Sequence, residues 1–260
     1  MRRIIMIGTA VAVLVGATAA YAAFNNYQGT KLTFHNNQAG SSKHPHGFSM
    51  AEHLQANAPA GDRAAPLFNI KVTIYGVKLD AGKLPTCSDA KIEQNKVKPT
   101  GACPTGSLIG NGLVNSLLGP GTDPSASKGT ACNPHLNVFN GGPSTQVFYF
   151  YTNSSSDCGG LTTGSTAPYD GHISYKNGNA IVNIPLPPDI STKVAGQPNF
   201  YGSLIKETIN FPTKVNGKGY MTSIKCKNGK RPWSVQYEAK GYSTTGGATE
   251  TQTVSGSQPC

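Results

Sequence analysis

The 260-residue chain predicts an all-β fold: an elaborated antiparallel β-sandwich with long Gly/Pro-rich loops and at most one or two short helices. Three observations lead there. The chain holds 31 glycines and 18 prolines, near a fifth of its length against roughly 12% in average proteins. Several segments alternate apolar and polar residues with period two, as half-buried strands do. Turn dipeptides separate them at near-regular spacing, which favours a sandwich over a parallel α/β sheet.

The elements follow in chain order. Lys31–His35 alternates as a short first strand. Phe48–Leu54 fits two patterns, since Ser49 and Glu52 satisfy a capping box for a helical turn. Alternating Phe48, Met50 and Leu54 fit a strand equally well, and the strand reading is preferred. Leu67–Leu79 is a clear strand, with Phe68, Ile70, Val72 and Ile74 on one face, closed by the turn Asp80-Ala81-Gly82. Ser88 is positioned to cap a short helix through Lys91, Ile92 and Glu93. Ser107–Leu118 is apolar but carries Gly110 and Gly112, which predicts bulges or close backbone approach.

Leu136–Phe139 and Gln146–Tyr151 form the strongest β-forming segment, placed centrally in the fold. His172–Lys176 and Ala180–Ile184 flank Asn177-Gly178, a pair that adopts the left-handed angles of a type I′ hairpin at little cost. Later strands are Ser203–Phe211, Tyr220–Cys226, Trp233–Tyr242 and Thr249–Val254, with turns at Asn216-Gly217 and Asn228-Gly229. In the first of these, Glu207 interrupts an otherwise apolar face. No linker divides the chain, so residues 23–260 are expected to form a single domain.

The N-terminus reads as a signal peptide. Arg2 and Arg3 precede an apolar run from Ile4 to Val15 and an A-x-A site, the three parts of a secretory leader. The run is shorter than the ~20 residues that span a bilayer. Cleavage is expected after Ala22, giving a soluble mature protein that begins at Ala23, is secreted, and has no membrane partner. No cysteine adjoins the site, which argues against lipid attachment.

Cys87, Cys103, Cys132, Cys158, Cys226 and Cys260 form an even set. In an oxidising compartment such a set reads as disulfides, and the absence of C-x-x-C removes the usual zinc-ribbon and redox readings. Six cysteines allow 15 pairings. Flanking turns favour sequence neighbours: Cys87–Cys103, Cys132–Cys158 and Cys226–Cys260. Each closure contributes ~3–4 kcal/mol by restricting the unfolded chain.

The formal net charge is +10, and much of the excess lies between Lys206 and Lys240. Such a surface suits a cell-wall or other extracellular anionic polymer, or simply keeps the protein in solution. Nucleic acid is not expected, because no recognised binding motif is present.

Leu84-Pro85-Thr86-Cys87-Ser88, followed by Ala102-Cys103-Pro104-Thr105-Gly106-Ser107-Leu108-Ile109-Gly110-Asn111-Gly112, resembles a motif of uncharacterised secreted actinobacterial β-rich proteins. Its pattern is C-P-x-G-S-x-I-G-x-G. Thr192–Gly196 and the stretch from Cys226 to Trp233 are similar as well. The resemblance implies an exported, disulfide-bearing β protein and carries no catalytic residue across.

Catalytic patterns are scarce. No G-x-S-x-G elbow occurs, and Ser107 with Asp170 and His172 has no pattern that singles it out as a triad. Only 12 acidic residues exist, none in a recognisable glycosidase pair, and Tyr149 and Tyr151 sit within a strand. His44, His46 and His53, with Met50, are borderline copper or zinc ligands within ten residues; proline between the first two does not impose ligand geometry, and no cofactor is expected. Trp233 beside Lys230 and Arg231 is a candidate sugar-stacking platform, although a lone strand tryptophan more often belongs to the core. The function expected is a secreted or wall-associated, non-catalytic protein with a structural or binding role. The alternative is a secreted carbohydrate-active hydrolase or lyase on a sandwich scaffold.

Overall fold

A computed structural model describes residues 25–94, 99–160, 164–242 and 247–260. The predicted export signal, residues 1–22, lies outside the described residues. The protein is all-β, with 52% of residues in strands. The strands are β1 (Lys31–His35), β2 (His46–Gly47), β3 (Ser49–Gln55), β4 (Leu67–Tyr75), β5 (Val77–Leu79), β6 (Leu108–Pro120), β7 (Thr130–Cys132) and β8 (His135–Gly142). They continue with β9 (Thr145–Tyr151), β10 (Tyr169–Lys176), β11 (Asn179–Pro185), β12 (Phe200–Phe211), β13 (Met221–Ser223), β14 (Lys230–Lys240) and β15 (Thr249–Pro259). Helical structure is confined to single turns, among them α1 (Asp89–Glu93), α2 (Pro99–Ala102) and α3 (Pro188–Ser191).

One large sheet runs β1-β3-β12-β6-β8-β9-β10-β11-β4-β14-β15, with β7 paired to β6. Every pairing is antiparallel. The sheet curls until it is nearly closed into a barrel, so the two layers of the expected sandwich are opposite walls of a single sheet. Its two ends, β1 and β15, are joined by side chains. The Gln258 side chain accepts from the Phe34 backbone at 2.7 Å, and Asn37 donates to the Pro259 carbonyl at 2.8 Å. Further along, Glu250 accepts from the Asn25 backbone and Gln252 donates to the Asn25 carbonyl. The Cys226–Cys260 disulfide fastens the end of β15.

Strand chemistry explains the layering. Ile70, Val72 and Ile74 of β4 and Trp233, Val235 and Tyr237 of β14 point inward and are buried. Asn69, Lys71, Thr73, Gln236 and Glu238 alternate with them on the outer face. The β8–β9 pair lies in the middle of the strand order, as its composition predicts. It is buried on both sides, because the segment closed by Cys87–Cys103 packs Ile92 over Phe139, Val147 and Tyr149 from outside. The ambiguous Phe48–Leu54 stretch resolves as β3, with Met50, Glu52 and Leu54 inward. The hairpin of β10 and β11 turns at Asn177 (φ 52°) and Gly178 (φ 78°), the expected left-handed pair.

A small second sheet, β2-β13-β5, caps one end of the barrel. Val77, Leu79 and Met221 from it meet Ile74 and Phe211 of the barrel wall. Arg231 anchors this cap from a fully buried position. Its guanidinium donates to the Tyr75, Gly76 and Lys225 carbonyls, to Asn37 Oδ1 and to Ser223 Oγ, and lies over the Phe48 ring.

Candidate functional site

The other end of the barrel is hollow. A cavity of about 350 Å³ reaches inward between β4, β6, β9 and β12. Its wall is largely apolar, with Leu67, Ile70, Val114, Leu118, Phe150 and Leu204 among the lining residues. Cavities of this size and character are the usual form of small-molecule sites.

Three local features build the mouth. The Cys132–Cys158 disulfide packs with Leu118, Val194 and Phe200 as a small separate cluster at the rim. Helix α3 and the turn at Val194–Gly196 form a second side. They approach β12 closely at Gly202, where a Cβ would run into the Ile190 carbonyl oxygen, so only glycine lets this wall seat. A bulge between Leu204 and Lys206 shifts the register of β12 against β6. It leaves Ile205 outward while Leu204 and Glu207 both face the cavity. Bulges re-aim side chains in this way beside functional sites.

Glu207 is the buried ionisable side chain of the cavity wall. It is only 9% exposed and makes no hydrogen bond among the described residues. Burial alone pushes its carboxyl up to about 7. Glu52 lies on the neighbouring strand, opposite Ile209 where Glu207 is opposite Leu54. The two therefore occupy diagonal positions on one inward face. Burial, and then the nearby Glu207, push Glu52 up to about 8, and its Oε1 has no partner. Around them stand phenols. Tyr237, stacked on Tyr27 at 4.1 Å, holds its hydroxyl 2.6 Å from Thr30 Oγ1, and Tyr169 is buried nearby. Burial raises all three phenol pKa values, with the glutamates adding to the rise for Tyr169 and Tyr237. Each thus stays protonated at neutral pH. Thr166 adds a further orphan: its Oγ1 is buried on the cavity wall without a partner.

The candidates read from sequence fall elsewhere. Trp233 is 8% exposed and packs in the core against Gly256 of β15, so it presents no ring to a surface sugar. Arg231 is consumed by the cap; Lys230, at the start of β14, is exposed. His44 is exposed in a turn, His46 belongs to β2, and His53 faces outward on β3 with its Nδ1 3.4 Å from Thr208 Oγ1. Among the described residues no three His, Cys, Asp or Glu side chains converge as metal ligands. Ser107 is fully buried and donates to the Pro104 carbonyl, and Asp170 sits beside Asp89, so neither forms a triad with His172. The cysteines Cys87, Cys103, Cys132, Cys158, Cys226 and Cys260 all pair with their sequence neighbours. Residue-level reading did flag Glu207 as an intruder on an apolar strand face. It missed Glu52, which the capping-box pattern masked.

Fold and site together define an antiparallel near-barrel, capped at one end and holding at the other an apolar cavity whose wall includes the buried carboxyl group of Glu207. Searches against protein-family models, curated proteins and solved structures return no match for the chain.

Proposed function

We propose that this is an exported, non-catalytic binding protein that encloses a small, largely apolar molecule in the open end of its barrel. The observation that carries the reading is the apolar cavity of about 350 Å³ at the open end of the barrel. Voids of that size cost stability unless something fills them. The outer wall supports an aqueous carrier, because polar residues face out and apolar residues face in, the reverse of a membrane barrel. Three disulfides fit an oxidising, extracellular location. Exposed Lys214, Lys218, Lys225, Lys227 and Lys230 on the turns flanking β13 support retention near anionic wall polymers. One hydroxyl of the cavity wall, that of Ser116, is engaged, donating to the Cys132 carbonyl at 2.6 Å.

The test is titration with an environment-sensitive apolar dye such as Nile red. The dye is expected to bind with blue-shifted emission, and Leu204→Trp, which fills the cavity, is expected to weaken binding roughly tenfold or more while the circular-dichroism spectrum is retained. Absence of dye binding by the folded wild-type protein refutes the reading.

A further inference from the structure

The cavity has a chemical polarity that its apolar walls conceal. Among the described residues its ionisable side chains are the buried Glu207, the exposed Asp189 and the phenol of Tyr151; no described lysine, arginine or histidine lines it. This is unexpected in a chain of net charge +10. The strands packed around Glu207 supply no cation either. They bring Glu52 from β3, Tyr169 from β10 and Tyr237 from β14, and α3 brings the exposed Asp189. A buried carboxyl group ordinarily has a donor or a counter-charge, because leaving it unpaired costs more than a net hydrogen bond returns. Glu207 has neither, and the Thr166 hydroxyl lining the same cavity is also unpartnered. Both groups can accept, and what the described lining lacks is a positive charge.

Resting on the carrier reading above, we propose that the enclosed molecule is a cationic amphiphile, an apolar body with a primary ammonium head that seats on Glu207. An ammonium offers three donors on a compact head. It supplies the positive charge that neither the cavity wall nor the strands around Glu207 provide. The apolar body lies along Leu67, Ile70, Val114 and Leu118, and Asp189 attracts the head at the entrance. Seating the cation draws the Glu207 proton off, since the carboxyl is held near neutrality by burial until a counter-charge arrives. Affinity for the amine therefore rises with pH through that range, with no matching change for a neutral ligand of the same shape.

Calorimetric titration of the full chain with octylamine, 1-octanol and octanoic acid tests this. Octylamine is expected to bind roughly tenfold or more tightly than 1-octanol near pH 8, the size of a charge-assisted hydrogen bond. That margin is expected to shrink toward about pH 5. Glu207→Gln is expected to erase the difference between amine and alcohol, and Asp189→Asn, at an exposed site with little bearing on folding, to weaken the amine a few-fold. Equal or tighter binding of 1-octanol or octanoic acid overturns the proposal while leaving the carrier reading intact. Failure of all three to bind overturns both.

Discussion

Arg231 shows how a single side chain organises one end of the molecule. Four of its six hydrogen-bonding neighbours are carbonyl or amide oxygens from three separate stretches of chain, and the others are the Ser223 hydroxyl and Cys226 Sγ. No carboxylate is among them. Burial lowers its pKa to about 10, which still leaves it charged at neutral pH. A planar fork matches acceptors spread over this arc, whereas a lysine ammonium reaches only part of them and leaves carbonyls buried without donors. Arg231→Lys is therefore expected to destabilise the fold by about 3 kcal/mol, read as a lowered urea midpoint. A loss below about 0.5 kcal/mol, the range of a neutral surface change, contradicts the anchoring role. Sequence alone offered Arg231 with Lys230 and Trp233 as a candidate surface patch while favouring the core for the tryptophan, because adjacent charges look alike until a partner is known. Strand alternation sends Arg231 and Trp233 to the same inward face, and that parity was readable once β14 was fixed.

At the scale of elements, the local signals transferred well. Asn177-Gly178, Asn216-Gly217 and Asn228-Gly229 all take up left-handed angles at the turns where their chemistry put them. The alternation of β4 and the central place of β8 and β9 likewise appear as read, whereas the predicted strand Leu67–Leu79 breaks at Gly76 (φ 67°) into β4 and β5 of separate sheets. What stayed illegible is contact between elements distant in sequence. The cavity joins Leu67, Val114, Phe150 and Glu207, residues of four strands that the long-range pairings of the sheet and its curl bring around one interior. Nothing local in any of those strands encodes those pairings. The seating of α3 against β12 at Gly202 belongs to the same class. Gly202→Ala adds a methyl group where the Ile190 carbonyl lies, so α3 must move outward. The expected result is a loss of about 1–3 kcal/mol together with weakened dye binding, because the displaced helix is a wall of the cavity. Unchanged stability and unchanged binding place the α3 contact outside the site.

Over the whole molecule, the two inward glutamates set how stability responds to pH. Both titrate higher in the folded chain, Glu52 at about 8 and Glu207 at about 7, than the ordinary value of 4.5. The folded state therefore holds more protons than the unfolded state between about pH 4.5 and pH 8, and stability falls as pH rises through that window. Below it the exposed Asp123 and Asp157 act in the opposite sense, since hydrogen bonds from neighbouring backbone amides lower their pKa values. Together these place the stability maximum near the lower edge of the window and not at neutrality. Urea unfolding at about pH 5 and again at about pH 8.5 should differ by a few kcal/mol, with the alkaline sample weaker. Glu52→Gln removes the larger of the two charging costs, so its unfolding should depend less on pH and its stability at the alkaline end should exceed that of the wild type. A wild-type curve that is flat or rises across this interval would mean that water or a counter-charge reaches the carboxyls. The interior would then not be the cation-free chamber from which the ammonium ligand is inferred.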